Sequence, residues 1–185
     1  MKYILVLLLM LSFAYADREG GPYIGVGYGQ QKYNDDGLYT ALKEKRSESL
    51  NFYAGAYMNK YFSVELDYVK IAPYTAVLKS KNVKLDLSIV TVSTLVHYPL
   101  YNDMFDTYIK FGVGDIREKN ANAKGFTFVY GLGTSFRVSE LISIKLSYDL
   151  YPFGYDQADA TGTTNGISNY NQTIKYIYTA VEFQF

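Results

Sequence analysis

The sequence predicts an all-β protein: an eight-stranded antiparallel up-and-down transmembrane β-barrel preceded by a cleavable signal peptide. Three observations support this prediction. The first residues have the pattern of an export signal, and the rest of the chain alternates between apolar and polar residues. The connections between the alternating segments are by turns short and long, in a regular order along the chain. We therefore expect a signal peptide at residues 1–16 and an outer-membrane barrel domain at residues 17–185.

The N-terminus has the three parts of a secretory signal. A basic start precedes an apolar run at residues 4–13, and the Ala-Tyr-Ala tripeptide at 14–16 fits the small-x-small pattern that signal peptidase reads. A run of about ten apolar residues is too short to cross a bilayer as a helix. The alternative, an anchoring helix, is disfavoured because charged residues follow at positions 17–19.

Eight later segments alternate with the period of two that is typical of strands. In the first of them, Ile24, Val26 and Tyr28 alternate with glycines. The segments lie near residues 23–29, 50–58, 62–68, 83–96, 109–114, 126–137, 142–150 and 177–185. In the fourth segment the alternation slips near Ile89 and Val90, which predicts a β-bulge there.

The connections between these segments differ in length. Short links lie near residues 59–60, 99–105 and 138–140, and long polar links near 31–47, 72–82, 115–124 and 152–170. Short turns at one rim and long loops at the other are typical of a barrel that crosses an outer membrane. A sandwich of Greek-key type would not separate its connections in this way.

The position of the charges predicts which face of the barrel meets lipid. A soluble barrel turns its apolar face inward, and a membrane barrel does the reverse. One face of the strands is almost free of charge over about nine residues, enough for a tilted strand to cross the hydrocarbon. A Lys or Arg at the midplane of that face would cost about 2–4 kcal/mol. We therefore assign the charged face to the lumen: Glu65, Asp67, Lys110, Arg137, Lys145, Asp149 and Glu182.

We expect these side chains to close the lumen. An eight-stranded barrel is only wide enough for side chains to fill it, and glycines on the same face leave room for the charged ones. Charges without partners in so narrow a space would be costly. The predicted ion-pair network comprises Glu65, Glu182, Lys110, Lys145 and Arg137. The alternative is a gated narrow pore.

The last strand carries a pattern that points to a family. The chain ends in Phe185, with Phe183, Val181 and Ile177 two, four and eight positions earlier. This pattern resembles the C-terminal signature of outer-membrane β-barrels, and the resemblance implies recognition by the barrel-assembly machinery. The segments YIGVGYG and YMNKYFSVELDY also resemble the OmpA-like, porin-family eight-stranded barrels, and the resemblance covers residues 22–185. OmpA has a peptidoglycan-binding domain after its barrel that this sequence lacks, so cell-wall tethering is not expected.

No catalytic residue, cofactor or metal site is predicted. The chain has 185 residues, no net formal charge, no cysteine and one histidine. This composition argues against nucleic-acid binding, disulfide scaffolds, thiolate zinc sites and cysteine nucleophiles. Outer-membrane barrel enzymes resemble one another in needing His with Ser or Asp partners at the outer rim. Here His97 follows a strand on the predicted periplasmic side, and we expect it to be satisfied or solvent-facing, with no catalytic constellation and no enzyme activity.

The long loops are therefore the remaining candidates for function. The loop at residues 72–82 and its flanks lean basic, and Lys79, Lys81 and Lys84 are candidate contacts for lipopolysaccharide phosphates. The alternative is a solvated, non-specific surface.

We expect a structural or surface-contact role in adhesion or envelope integrity. The expected partners are outer-membrane lipids and lipopolysaccharide, the barrel-assembly machinery and an extracellular partner held by the loops. A narrow pore or passive small-solute channel is the rival, and an exported soluble ligand-binding barrel is a third alternative.

Overall fold

The computed structural model describes residues 20–34, 41–42, 45–78, 81–100, 104–119, 123–156 and 169–185. The predicted signal peptide at residues 1–16 lies outside these ranges. These ranges contain no helix that could span a bilayer. The strands are β1 (Gly21–Asn34), β2 (Ala41–Leu42), β3 (Arg46–Asn59), β4 (Phe62–Ile71), β5 (Tyr74–Leu78), β6 (Lys81–Leu85), β7 (Leu87–Leu100), β8 (Phe105–Glu118), β9 (Ala123–Arg137), β10 (Ile142–Asp156) and β11 (Asn169–Gln184).

Eight of these strands form a closed antiparallel barrel. Their order around the barrel is β1-β11-β10-β9-β8-β7-β4-β3, with β3 pairing to β1 across the closure. Each barrel strand therefore pairs with its neighbours along the chain, and the last pairs with the first. The predicted eight-stranded up-and-down barrel is confirmed.

The strands present opposite chemistry on their two faces, as predicted. Leu66 and Leu146 point outward with 52% and 48% of their surface exposed, whereas their chain neighbours Glu65 and Lys145 are 0% and 1% exposed. Successive side chains of a strand point to opposite faces, so the alternation in sequence becomes an apolar exterior and a polar interior.

The fourth predicted segment is divided rather than bulged. Asp86 separates β6 from β7, and the pairing of β4 with β7 runs without a shift through Val69↔Ile89 and Tyr68↔Val90. The predicted bulge near Ile89 and Val90 is therefore wrong. The alternation slips in sequence because Leu87 and Ile89 are apolar although they point into the lumen, where both are buried.

Two of the predicted connections also differ from expectation. Strands β2, β5 and β6, which lie in the predicted loops, form a separate three-stranded sheet in the order β2-β5-β6. The predicted long loop at residues 115–124 is mostly strand, because β8 pairs with β9 as far as Glu118↔Ala123. In the sequence, Asp115 and Arg117 interrupt the apolar pattern and therefore predicted a loop. In the structure they are exposed on the outer face of β8, beyond its apolar stretch.

The interior has an apolar layer at the end of the barrel that carries the small sheet. Ile71, Leu87, Ile116 and Ile174 are buried there. Tyr74 of β5 packs into the same layer, and burial raises the pKa of its hydroxyl. The side chain of Tyr74 thus closes the apolar layer at this end of the lumen, and the polar side chains lie on the other side of that layer.

Candidate functional site

The candidate site is a cluster of charged side chains inside the barrel. Its members come from four strands and are all almost completely inaccessible to solvent: Glu65 and Asp67 on β4, Lys110 on β8, Lys145 and Asp149 on β10, and Glu182 on β11. They meet because every second residue of each strand points inward. This set contains six of the seven charges assigned to the lumen from the sequence.

Two lysines hold the four carboxyl groups together. Lys110 Nζ lies 2.8 Å from Oε1 of Glu65, 3.1 Å from Oδ2 of Asp67 and 3.3 Å from Oδ2 of Asp149. Lys145 Nζ lies 3.0 Å from Oε2 of Glu65 and 3.2 Å from Oε2 of Glu182. Glu65 therefore contacts both lysines with its two oxygens.

Tyrosines surround Lys145 and complete the coordination of the carboxylates. The ammonium group lies 4.5 Å from the ring centre of Tyr53, 5.1 Å from that of Tyr108 and 5.5 Å from that of Tyr23. Such cation–π contacts stabilise a desolvated cation. The Tyr23 hydroxyl also donates to Oε2 of Glu65 at 3.1 Å, and the Tyr57 hydroxyl donates to Oε1 of Glu182 at 3.0 Å.

Glycines make room for these rings. A β-carbon on Gly55 would overlap the ring of Tyr23, and one on Gly133 would overlap the ring of Tyr108. The large tyrosines and the glycines therefore occupy facing positions on neighbouring strands. The tyrosines were not identified as site residues from the sequence, although their alternation with glycine was a usable signal.

Arg137 lies apart from the cluster. It points inward on β9, but it pairs with Ser143, which lies two residues nearer the short-turn rim than Lys145. Its Nη2 donates to Oε1 of Gln184 at 2.8 Å, and its side chain is only half-buried. The prediction that it pairs with Glu65 and Glu182 is therefore corrected, because successive inward-pointing residues of a strand are two positions, or about 6–7 Å, apart.

A Ser-His-Asp arrangement lies at the short-turn end of the lumen. Nε2 of His97 is 2.8 Å from Oγ of Ser63, and Nδ1 of His97 is 2.5 Å from Oδ2 of Asp106. The sequence analysis did not foresee that these three side chains meet, although it expected His97 to be satisfied or solvent-facing, and both ring nitrogens have partners. Ser63 is 34 residues from His97 in sequence, and only the pairing of β4 with β7 places them side by side.

The surroundings of Ser63 limit what this arrangement can do. Ser63 is 0% exposed, and its strand is paired on both sides, with Tyr57 and Leu95 as its partners in the ladders. Backbone N–H groups that are used in a sheet are not available to stabilise an oxyanion. The single proton of the Tyr23 hydroxyl is shared between Oε2 of Glu65 at 3.1 Å and Oγ of Ser63 at 3.4 Å, so a chain of polar contacts joins the rim to the charged cluster.

The predicted assembly-signal residues at the end of the chain lie on the outside of the barrel. Ile177, Val181, Phe183 and Phe185 all point outward from the last strand and its end. Of the loop lysines, Lys84 is exposed on β6, the backbone of Lys81 begins the same strand, and Lys79 lies outside the described residues. In the part of the chain that the structure describes, no three His, Asp or Glu residues are arranged to hold a metal ion.

Comparison with known proteins gives a consistent result for the whole barrel. The family model for the outer membrane protein beta-barrel domain matches residues 3–178. Ail, the attachment invasion locus protein of Yersinia pestis, solved in complex with the heparin analogue sucrose octasulfate, superposes with a TM-score of 0.58 and 15% identity, covering 90% of this chain and 99% of Ail.

Two further solved barrels are similar in the same way. Neisserial surface protein A gives a TM-score of 0.56 and 14% identity over 90% of this chain and 99% of its own. Outer membrane protein W of E. coli gives a TM-score of 0.55 and 10% identity over 91% of this chain and all of its own. At these identities the similarity establishes the fold. No curated protein matches the sequence significantly.

Proposed function

The chain belongs to the outer-membrane protein β-barrel family and is located in the bacterial outer membrane, and on this basis we propose that it is a structural or surface-contact protein whose lumen is closed. The observation that carries the proposal is the pair of layers inside the barrel. Buried ion pairs around Lys110 and Lys145 fill its middle. The apolar layer beneath Tyr74 covers the end that carries the small sheet.

Conductance in planar bilayers tests the closed lumen. A barrel of eight strands has no room for an aqueous channel beside this many side chains, so we expect no steady current from the purified protein. Reproducible ion-sized steps would contradict the closed lumen and favour the rival function, a narrow pore.

One observation supports that rival. The side-chain polar atoms of Ser49, Asn51, Thr91 and Ser93 are buried in the lumen without a protein partner among the described residues. Buried polar groups of this kind usually bind water. A line of waters along these side chains is the most direct route by which ions or small solutes would pass. If current is seen, Asn51→Leu and Thr91→Val should reduce it, and Leu66→Val on the outer face should not.

We also propose that the Ser63–His97–Asp106 arrangement is structural rather than catalytic. Ser63 is buried, and a nucleophile must reach its substrate. The test is incubation of the folded barrel with a fluorophosphonate, which labels activated serines. We expect no labelling. Covalent labelling that disappears in Ser63→Ala would show an enzyme instead.

The extracellular connections are the proposed contact surface. The small sheet of β2, β5 and β6 stands at this end and exposes Lys84, which suits an anionic saccharide such as lipopolysaccharide or a host glycan. The complex of the similar Ail barrel with a heparin analogue supports this class of partner. Protease treatment of whole cells should cut only between β1 and β3, β4 and β7, or β10 and β11.

The end of the chain is the proposed signal for the barrel-assembly machinery. Phe185 is exposed on the outer side, and its backbone N–H donates to the Pro22 carbonyl at 2.9 Å. Phe185→Ala should lower the assembled fraction in cells by several-fold while leaving refolding in detergent unchanged. Gln184→Ala is the matched control, and an equal assembly defect in both variants would contradict the assignment.

A further inference from the structure

The outer wall of the barrel contains an apolar groove. It has a volume of about 660 Å³ and crosses five strands, from Tyr98 and Thr107 near the short-turn rim, past Leu132 and Leu146, to Tyr148 and Ile177. Leu132 and Ile177 are more than half exposed, so the groove opens on the side of the barrel that faces lipid. Small Thr side chains between the large apolar ones create the depression.

A row of three basic side chains begins where the groove ends. Lys175 is two residues from Ile177 on β11 and pairs directly with Lys32 of β1, which pairs in turn with Arg46 of β3. All three are exposed on the outer face. Like charges at directly opposed positions of a sheet repel each other, so this basic row is held at an energetic cost that a bound anion would remove.

One acidic residue lies on the membrane side of this row. Glu48 is two residues from Arg46 on the same face of β3 and is exposed there. Its single carboxylate offsets only part of the charge of the row, so the three basic groups keep a surplus of positive charge.

The basic row lies at the boundary between the apolar belt and water. Leu150 pairs with Lys175 on one side, and the apolar Ile177 follows it toward the membrane, whereas Lys32 continues the row on the other side. Because the long connections of an outer-membrane barrel are extracellular, this boundary is that of the outer leaflet. A molecule that fills the groove and reaches the row must have a long apolar part and a negative charge at its outer end.

We propose that the groove and the row Lys175–Lys32–Arg46 form one binding site for a phosphate-bearing anionic lipid of the outer leaflet. An acyl chain lies in the groove across Leu132 and Leu146, and the phosphate is bound by the three basic side chains. This site is on the outer wall, so it does not depend on whether the lumen is closed. It is also separate from Lys79, Lys81 and Lys84.

The experiment compares two lipids that differ only in headgroup. The purified full chain in neutral detergent is titrated with dimyristoylphosphatidylglycerol or dimyristoylphosphatidylcholine, and retained lipid is counted by native mass spectrometry. The test variant is Lys32→Gln/Arg46→Gln/Lys175→Gln. The control, Lys60→Gln/Arg117→Gln/Lys119→Gln, loses the same charge from exposed positions elsewhere.

We expect the wild type to retain the anionic lipid in preference to the zwitterionic one. Each basic group at a membrane surface contributes about 1 kcal/mol, so the test variant should bind the anionic lipid about 100-fold more weakly. The control should stay within about threefold of the wild type. Equal retention of both lipids by the wild type, or an equal loss in the control, would overturn the site.

The groove is tested separately. Thr107→Phe fills it, and Val113→Phe adds the same ring on β8 outside it. Only Thr107→Phe should weaken binding of both lipids, with the unfolding temperature of each variant measured to establish that it is folded. If Thr107→Phe has no effect and the soluble polyanion inositol hexakisphosphate displaces the lipid, the row binds a soluble anion and the lipid site is wrong. A dimer in the mass spectrum that excludes lipid would assign the groove to a second copy of the chain.

Discussion

The ring of Tyr53 lies over Gly25 of the paired strand, in the space that a β-carbon at that position would fill. The same ring lies under the ammonium group of Lys145, 4.5 Å from it. Gly25, which has no side chain, thus leaves the space that the Tyr53 ring occupies. This ring in turn covers the ammonium group of Lys145, which contacts both Glu65 and Glu182.

Gly25→Val should destabilise the barrel by displacing this ring. Overpacking a filled interior typically costs about 1–3 kcal/mol, and Tyr53 cannot move freely because it is almost fully buried against Tyr23. Urea unfolding in detergent micelles measures the effect. Ala54→Leu, which adds the same three carbon atoms on the outer face of β3, is the control, and equal losses in the two variants would contradict this account.

Lys110→Met should be among the most damaging single substitutions. It removes the ammonium group shared by Glu65, Asp67 and Asp149 and leaves buried carboxylates without a counter-charge, which typically costs about 3–5 kcal/mol. Lys32→Met, at an exposed position, should change the free energy of unfolding by less than about 1 kcal/mol.

The loss in Lys110→Met should be largely recovered by neutralising its partners. Adding Asp67→Asn and Asp149→Asn removes two of the orphaned charges, so the triple variant should be more stable than the single one. A triple variant less stable than Lys110→Met would mean that the ion pairs are not what the lysine contributes.

Leu146→Arg should impair folding into lipid vesicles more than Gln30→Arg. Both residues point outward, but Leu146 lies within the apolar belt and Gln30 lies beyond Tyr28, toward the row of basic residues. An arginine costs about 2–4 kcal/mol at the bilayer midplane and about 0–1 kcal/mol near the interface. The folded fraction as a function of urea in vesicles measures the difference, and equal costs would contradict the assigned depth.

Asp106→Ala should loosen the short-turn end of the lumen. It removes the carboxylate that holds Nδ1 of His97, and a hydrogen bond to a charged group contributes about 1.5–3 kcal/mol. Amide hydrogen exchange should increase near Ser63 and His97 and remain unchanged near Tyr74 at the opposite end. Asp115→Ala, at an exposed position of β8, should leave exchange as it is in the wild type.

The number of barrel strands, the apolar exterior and most of the buried charges could be predicted because each depends on a local rule. The period of two fixes which residues share a face, and the exclusion of charge from one face identifies the one that meets lipid. Glu65 and Lys145 were assigned to the lumen for this reason alone. Where the rule has exceptions, as at Ile89, whose apolar side chain points inward above the polar layer, the prediction failed.

What the alternation cannot supply is the height of each side chain relative to those on other strands. Arg137 and Lys145 both point inward, but the register of β9 with β10 places Arg137 nearer the short-turn rim. Lys145 therefore contacts Glu65, whereas Arg137 contacts Gln184. Ser63, His97 and Asp106 meet for the same reason, and so do Lys32, Arg46 and Lys175. Sequence by itself determined the faces of the strands, since side-chain direction is set within one strand. The tertiary structure decided the partners, since the distances between side chains depend on how neighbouring strands are aligned when the barrel closes.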